Sequence, residues 1–191
     1  MVIKISKVLI LYGTRYGTTK GISNNIEEIV KKKGIVTKNY NLAEHNLKEI
    51  PPLEDYDGII LGTGIKMKMW TKAVKKFVQK RKLELKNMQN SFAFYVCCGE
   101  ASKKNNTDKA IKEYITPKLQ KLGLQPILID AFGGAYDLTE GSAISGITRK
   151  IVIGILQKEE GIENPEGKMH DYRDWDQIKD FANKFVELLK K

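Results

Sequence analysis

Residues 7–33 read KVLILYGTRYGTTKGISNNIEEIVKKK, and the rest of the chain can be interpreted outward from this stretch. Residues 8–11 form a continuous aliphatic run, which is typical of a strand covered on both faces of a sheet. The periodicity then changes to that of one helical face, at Ile22, Ile26, Ile29 and Val30. The stretch therefore predicts a strand, a turn and an amphipathic helix in succession.

The turn between this strand and helix is rich in glycine and hydroxyl groups. It consists of Gly13, Thr14, Arg15, Tyr16, Gly17, Thr18 and Thr19. The glycines allow a tight turn and a close approach of the backbone to a ligand. Threonine hydroxyls and the free N–H groups at a helix start can donate to phosphate oxygens, and Arg15 and Lys20 would add positive charge. We therefore predict a phosphate site at this turn.

Two common nucleotide motifs are excluded. The pattern GxxxxGK(S/T) of nucleoside triphosphate sites requires a lysine after its second glycine, but Thr18 follows Gly17. The dinucleotide pattern GxGxxG is also incomplete, because Met67 stands where the third glycine would follow Gly62 and Gly64. A hydroxyl-rich turn of this kind suits a terminal monophosphate.

Strand patterns alternate with helix patterns along the remaining chain. Apolar runs predict strands at residues 35–42, 57–62, 92–98 and 126–132, in addition to the first strand. Such alternation indicates a parallel sheet with helices on both faces. The last helix is predicted to begin at Asp174 as its N-cap, with Gln177 completing a capping box.

Residues 133–173 do not fit this minimal pattern, because connections in compact domains usually take about 2–6 residues. We interpret them as an insertion in a single domain spanning residues 1–191. Four glycines predict a flexible first half, and the second half predicts a short apolar helix flanked by basic residues. Two interpretations stay open for this helix: it packs as a lid on the body, or it docks on a membrane surface or a partner.

The phosphate turn resembles that of the flavodoxin-like FMN-binding family. Thr14, Gly17 and Thr19 match the family's loop, which has a hydroxyl residue, two variable positions, glycine, one variable position and threonine. The resemblance implies a three-layer α/β sandwich whose five-stranded parallel sheet has the order 2-1-3-4-5. It also implies FMN as cofactor.

Within that family, the chain resembles the menaquinone-dependent protoporphyrinogen IX dehydrogenases and related flavodoxin-domain proteins more than the small acidic electron carriers. The similarity rests on the phosphate turn, the segment from Gly62 to Lys66, the long insertion, and the pair Asp174-Trp175. The insertion departs from the branch, since it is glycine-rich with few aromatic residues.

This resemblance implies three cofactor-binding segments at one edge of the sheet. The predicted site residues are Thr14, Arg15, Tyr16, Gly17, Thr18, Thr19, Thr63, Gly64, Ile65, Lys66, Cys98, Gly99 and Glu100. Trp70 and Tyr95 are aromatic candidates for flavin contact, but a place in the core is favoured for Trp70. The sequence shows no recognisable pair of a catalytic nucleophile and a base.

Composition limits the classes of function. The chain has 191 residues and a formal net charge of +10, which favours anionic ligands. Its basic residues are scattered, so nucleic-acid binding is not expected. No apolar run approaches the roughly 18 residues of a membrane span, and residues 1–7 lack the pattern of a signal peptide.

The only cysteines, Cys97 and Cys98, are adjacent, which fits buried thiols in a reducing compartment. His45 and His170 lack companion ligands, so no metal site is predicted.

The function expected is that of a cytoplasmic FMN oxidoreductase, with peripheral contact at the inner face of the membrane as a further option. It would pass reducing equivalents between a porphyrinogen- or quinone-like substrate and an acceptor. The alternative is a flavodoxin-type electron carrier that docks on redox proteins. The loops beside the flavin carry Lys66, Lys68, Lys103 and Lys104 against one carboxylate, Glu100, which predicts a less negative reduction potential than in acidic flavodoxins.

Overall fold

The computed structural model describes residues 6–103 and 105–190. Residues 1–5 of the segment assessed as a possible signal peptide and Lys104 lie outside the described residues. The strands of the main sheet are Lys7–Gly13 (β1), Val36–Asn41 (β2), Gly58–Gly64 (β3), Phe92–Cys97 (β4) and Leu128–Phe132 (β5). All pairs are parallel and the order is β2-β1-β3-β4-β5, which confirms the predicted sheet.

The helices are Thr18–Lys32 (α1), Lys72–Lys80 (α2), Lys82–Asn87 (α3), Thr107–Ala110 (α4), Thr116–Leu122 (α5), Gly146–Glu159 (α6) and Trp175–Leu189 (α7). A π-helical segment, Ile111–Ile115, joins α4 to α5. It ends two residues before Pro117, where the sequence predicts an end, kink or restart, because proline has no N–H and its ring displaces the preceding turn.

The sheet is covered on both faces. On one face, Ile22 and Ile26 of α1 and Phe181 and Phe185 of α7 pack in one apolar cluster with β1 and β4. On the other face, a second cluster contains residues of α2, α3 and the segment 107–122. Residues 8–13 of β1 are buried, as expected for a strand between two layers.

The predicted C-terminal end of α1 and the predicted N-cap of α7 are confirmed, whereas the predicted capping box of α7 is not. Gly34 follows the C-cap residue of α1, Lys33, with φ +79°, and its N–H donates to the carbonyl of Lys31 at 2.9 Å. Asp174 caps α7, since its carboxylate accepts from the N–H groups of Asp176 and Gln177. The predicted capping box is wrong, because the Gln177 side chain instead donates to the carboxylate of Asp130 at 2.9 Å. That carboxylate is largely buried and needs a donor.

The insertion is more ordered by hydrogen bonds than the sequence predicts. Two short strands, Ala135–Asp137 (β6) and Met169–Asp171 (β7), form an antiparallel ribbon at its base. Gly133 and Gly134 are not a free hinge. A Cβ at Gly133 would lie 2.0 Å from the carbonyl oxygen of Tyr172, so the backbones are in close contact there. The N–H of Gly134 donates to the hydroxyl of Ser102 at 3.0 Å.

The insertion has its own apolar cluster. Leu138, Ile144, Val152 and Leu156 are buried together, with Tyr16 of the phosphate turn packed against them. One face of α6 therefore packs on the body, as the lid interpretation expects. Other side chains of α6 are exposed, Ile147 to 79% and Ile151, next to the buried Val152, to 56%. Helix α6 therefore has both buried and exposed apolar side chains.

Candidate functional site

A cavity of about 340 Å³ lies at the carboxyl edge of the sheet, within the size range of small-molecule sites. The turns after β1, β3 and β4 form three of its sides, as expected for parallel strands. Of the thirteen predicted site residues, ten line it: Thr14, Arg15, Tyr16, Thr18, Thr19, Gly64, Ile65, Lys66, Cys98 and Gly99. The structure therefore brings three separate sequence segments together.

The phosphate turn presents the start of α1 to this cavity. Gly17 adopts φ +87°, a left-handed conformation that suits glycine, and the first turn of α1 contains no acidic residue. The hydroxyl oxygen of Thr14 accepts from the Gly17 N–H at 3.0 Å, which fixes the turn. The hydroxyl of Thr18 donates to the carbonyl of Ala135 at 3.1 Å, so the turn also contacts the insertion. An anion at this helix start meets donors and no opposing carboxylate.

The Arg15 side chain binds backbone carbonyls of the turn after β3, although the sequence predicts that it contributes to the phosphate site. Its guanidinium donates to the carbonyl of Gly64 at 2.8 Å and to that of Trp70 at 3.0 Å. Burial lowers the pKa of Arg15 from its usual value. The side chain therefore ties the phosphate turn to the turn after β3, and it adds positive charge to the cavity wall from that position.

The turn after β3 is tight and unusual in its backbone. Lys66 and Met69 form an antiparallel bridge, and the two residues between them, Met67 and Lys68, have φ +49° and +61°. Non-glycine residues rarely adopt this region, and such strain clusters at functional sites. Met67 is 80% exposed at the rim of the cavity.

Lys66 joins three walls of the cavity. Its ammonium group donates to the phenol oxygen of Tyr16 at 2.5 Å and to the hydroxyl of Thr148 at 3.0 Å. The hydrogen bond from Lys66 is the main cause that lowers the pKa of Tyr16, and the Thr148 hydroxyl lowers it further. The phosphate turn, the turn after β3 and α6 therefore meet at one charged cluster.

Both cysteines border the cavity as buried thiols. Cys97, which was not among the predicted site residues, lines it beside Cys98. Burial raises the pKa of Cys97 to about 12 and that of Cys98 to about 11. Both groups are therefore neutral at physiological pH, and they add a weakly polar wall without charge.

The insertion supplies the fourth wall, although none of its residues was among the predicted site residues. It contributes Gly134, Ala135, Tyr136, Ile144, Thr148, Ile151, Val152 and Ile155. The Tyr136 hydroxyl lies directly against Gly99, where an added Cβ would be only 2.5 Å away. Burial raises the pKa of Tyr136 to about 12. The helical spacing of residues 148–155 was a usable signal for this wall, because these positions face one side of α6.

Three predicted site residues do not line the cavity. Gly17 lies within the phosphate turn but does not border the cavity. Thr63 is fully buried, and its hydroxyl accepts from the Thr71 N–H at 3.1 Å, so the side chain points into the helix layer. Glu100 binds Lys109 at 2.6 Å and lines a smaller cavity of about 200 Å³, which also adjoins Tyr136.

Both aromatic candidates are core residues. The indole of Trp70 donates to the carbonyl of Tyr114 at 2.8 Å and packs on Phe94, with ring centroids 4.7 Å apart. Tyr95 is fully buried against Phe132 and Phe181. Neither side chain borders the cavity of about 340 Å³.

The predicted surplus of positive charge around the site is smaller than the sequence indicates. Lys68 pairs with Glu113 and Lys103 pairs with Glu159, each at 2.6 Å. The expectation of a single opposing carboxylate was therefore wrong, because the fold brings two more from distant segments. Of the three lysines in these loops that the structure describes, Lys66 alone has no carboxylate partner.

Neither a metal site nor a membrane span is found where the structure describes the chain. Residues 6–103 and 105–190 contain no group of three or more histidine, cysteine, aspartate or glutamate side chains that could hold a metal ion. No helix within these ranges is both long enough and apolar enough to cross a bilayer.

Comparison with known proteins agrees with this geometry. A family model described as "Flavodoxin domain" matches residues 9–163. Over 185 residues the chain is 27% identical to a protein of Escherichia coli (strain K12) named protoporphyrinogen IX dehydrogenase (quinone), covering 97% of each chain. A Leishmania major protein of the same name is 25% identical over 183 residues, 95% of this chain and 75% of that one. Oxidised flavodoxin 1 from Bacillus cereus superposes with a TM-score of 0.55 at 16% identity, covering 95% of this chain and 98% of that one.

Proposed function

The chain belongs to the flavodoxin domain family, and from this premise we propose that it is an FMN-dependent oxidoreductase acting on a small quinone- or porphyrinogen-like substrate. FMN is the cofactor that the phosphate turn fits. The start of α1 offers N–H donors, Thr14 and Thr19 offer hydroxyls, and the first turn has no carboxylate to repel a phosphate. The apolar remainder of the cavity suits a planar ring.

The observation that supports an enzyme over a simple carrier is the wall formed by the insertion. Val152 and Ile155 of α6 and Tyr136 of β6 close one side of the cavity. An electron carrier exchanges electrons through an exposed flavin edge and has no need of such a wall. A wall of this kind excludes water and shapes a space beside the cofactor, as small-molecule chemistry requires.

FMN supplies reversible one- and two-electron transfer when it is bound. The residues of this chain set the surroundings for that chemistry. Lys66 and Met67 of the turn after β3 and the segment Cys97–Gly99 border the cavity from two sides, and the neutral thiols place no negative charge there. The ammonium of Lys66 favours electron density that accumulates in the cavity.

The substrate class is supported by the names of the relatives at 25–27% identity, which refer to protoporphyrinogen and quinone. The test is an absorption spectrum of the purified protein with identification of the released flavin, followed by anaerobic stopped-flow mixing. Protoporphyrinogen should reduce the FMN-loaded protein, and a menaquinone analogue should reoxidise it. If neither reagent reacts faster with the protein than with free FMN, the proposed enzyme activity is refuted.

A second candidate is a flavodoxin-type electron carrier. It is favoured by an exposed apolar rim, formed by Met67 and Ile151 at the cavity and by Ile147 one turn earlier on α6. A redox protein could dock on this rim. Retention of fast electron exchange with protein acceptors, together with inertness toward both small substrates, would select this function.

The same rim supports a proposal of peripheral contact with the inner face of the membrane for a cytoplasmic protein. Ile147 and Ile151 are exposed on α6, and Lys150 lies between them in sequence. An apolar strip beside basic side chains suits anionic lipid headgroups. Sedimentation with phosphatidylglycerol vesicles at low salt tests it, and Ile147→Asp should reduce binding. Equal binding of the variant would contradict this contact.

A further inference from the structure

The proton-bearing groups around the cavity differ in how readily they release a proton. Burial raises the pKa of Cys97, Cys98 and Tyr136 to about 12, 11 and 12. The pKa of Tyr16 is shifted the opposite way, chiefly by the hydrogen bond from Lys66. Tyr16 is therefore the best acid among these four groups.

The donors and acceptors at Lys66 determine where the phenolic hydrogen is free to point. An ammonium group is a donor only, so in its 2.5 Å contact with Tyr16 the phenol oxygen accepts. The same ammonium donates to Thr148, and the Thr148 hydroxyl in turn lowers the pKa of Tyr16. With its oxygen engaged by donors, the phenol keeps its own hydrogen for another acceptor.

No carboxylate lines this cavity among the described residues, so that hydrogen is available to water or to an oxygen of a bound ligand. Both Tyr16 and Lys66 border the cavity, on the side where the phosphate turn meets the turn after β3. The ammonium makes this side electrically positive, and its third hydrogen is also available. An oxygen atom that gains negative charge during a reaction is the ligand group that suits these donors best.

We propose that Tyr16 is the proton donor to a carbonyl oxygen of the quinone substrate, and that Lys66 is the residue that positions and activates it. The proposal rests on the proposed function. In the balanced step the quinone takes up a hydride, with two electrons, from the reduced FMN, and its carbonyl oxygen takes up the proton of Tyr16. The O–H bond of Tyr16 breaks, the second O–H bond of the quinol forms, and the phenolate pairs with the Lys66 ammonium until solvent returns a proton.

The Tyr–Lys arrangement also explains the position of Thr148. Its hydroxyl comes from α6, so this third member joins the Tyr16–Lys66 pair when the insertion packs against the phosphate turn. The insertion would then complete the proton-donating site as well as wall the cavity. A carrier that exchanges single electrons has no use for such a donor.

The first test measures the titration of Tyr16 beside Lys66 and does not depend on turnover. Nuclear magnetic resonance of isotope-labelled tyrosine in the FMN-loaded protein follows each phenol with pH, and Tyr16→Phe identifies the signal by its loss. The Tyr16 signal should titrate below the usual range for tyrosine, and Lys66→Met should move that titration upward. A Tyr16 signal that titrates at or above the usual range would overturn the proposal.

The second test compares two oxidants of the reduced protein. Quinone needs a proton and ferricyanide does not, so the ratio of the two reoxidation rates isolates proton donation. Tyr16→Phe should lower this ratio about 100-fold, within the range of general acid catalysis. Lys66→Met should lower it less, and Thr148→Val, which keeps the Lys66–Tyr16 bond, should lower it least.

The wild-type ratio should also fall as the pH rises through the titration of Tyr16, and the Tyr16→Phe ratio should not show this fall. If Tyr16→Phe keeps the wild-type ratio while the wild type is reoxidised by quinone, only the role of Tyr16 is refuted. If quinone does not reoxidise the wild type at all, the proposed function fails and this role falls with it. Measuring bound FMN in every variant separates these outcomes from loss of cofactor.

Discussion

Substituting Gly99 with alanine should reveal how closely the insertion is fitted to the site. Gly99 has φ −64° and ψ −27°, an ordinary helical conformation that alanine also adopts. The added Cβ would nevertheless lie 2.5 Å from the hydroxyl oxygen of Tyr136 and 3.8 Å from its ring carbon Cζ. Only the hydroxyl is too close, so the conflict involves a single atom.

The magnitude follows from two opposing effects. Replacing glycine by alanine in a compatible conformation stabilises a protein by about 0.4–1 kcal/mol, because the unfolded chain loses freedom. Overpacking a core position costs about 1–3 kcal/mol, and the lower end of this range applies here because Gly99 and Tyr136 are half-buried. Gly99→Ala should therefore lower the free energy of unfolding in the wild type. In a Tyr136→Phe background the clashing oxygen is absent, so the same substitution should become neutral or stabilising.

The assay is a double-mutant cycle of urea unfolding, with FMN affinity measured by fluorescence on the same four proteins. A coupling energy at the lower end of about 1–3 kcal/mol between Gly99 and Tyr136 is expected. Gly154→Ala is the matched control, because a Cβ at this position in α6 meets nothing within 4 Å. It should stabilise both backgrounds equally. If the Gly99 and Tyr136 effects add to within about 0.5 kcal/mol, the close fit of Tyr136 on Gly99 is refuted.

Further outcomes are expected from four other changes. The double variant of Thr14 and Thr19 to alanine should bind FMN weaker by orders of magnitude, since each hydrogen bond to a charged group contributes about 1.5–3 kcal/mol; unchanged affinity in calorimetry would refute the phosphate site. Replacing residues 138–168 by Asn-Gly should close the β6–β7 ribbon as a two-residue hairpin, keep FMN and abolish turnover with quinone; if turnover persists, the insertion is not part of the site. Lys66→Glu should make the reduction potential of the bound FMN more negative, and a redox titration showing an equal or higher potential would contradict the electrostatic argument. Burial raises the pKa of Asp130 from 3.8 to about 6, so it stabilises the fold below pH 4 and this stabilisation is lost as the pH rises through 6. Asp130→Asn should therefore reduce the decline in unfolding free energy between pH 4 and pH 7, by up to about 3 kcal/mol, in urea titrations at several pH values.

Much of the fold could be predicted from local sequence patterns. The five strands were predictable because each is a short apolar run bounded by turn residues, and the phosphate turn because its glycines and hydroxyls are adjacent in sequence. Helix ends such as Gly34 and Asp174 depend on their own backbone and nearest neighbours. The strand order was not read from these patterns. It came from the family resemblance and was then confirmed.

Contacts between distant segments explain the errors. Gln177 has the spacing of a capping box, but its amide donates to Asp130, 47 residues away in sequence. Lys103 was counted as a free charge near the flavin, whereas the fold places Glu159 of the insertion against it. A side chain with several partners within reach binds the one that tertiary packing brings close, and sequence spacing does not identify that partner.

The sequence by itself determined the strand–turn–helix units and the phosphate turn, because these depend on residues within a few positions of one another. The tertiary structure alone decided that the insertion folds back to wall the cavity. Its strands β6 and β7 have three residues each, too few to show periodicity, and their partners lie more than thirty positions apart. The cluster of Tyr16, Lys66 and Thr148 likewise draws on three segments that only packing joins, since its hydrogen bonds span 50 and 82 positions.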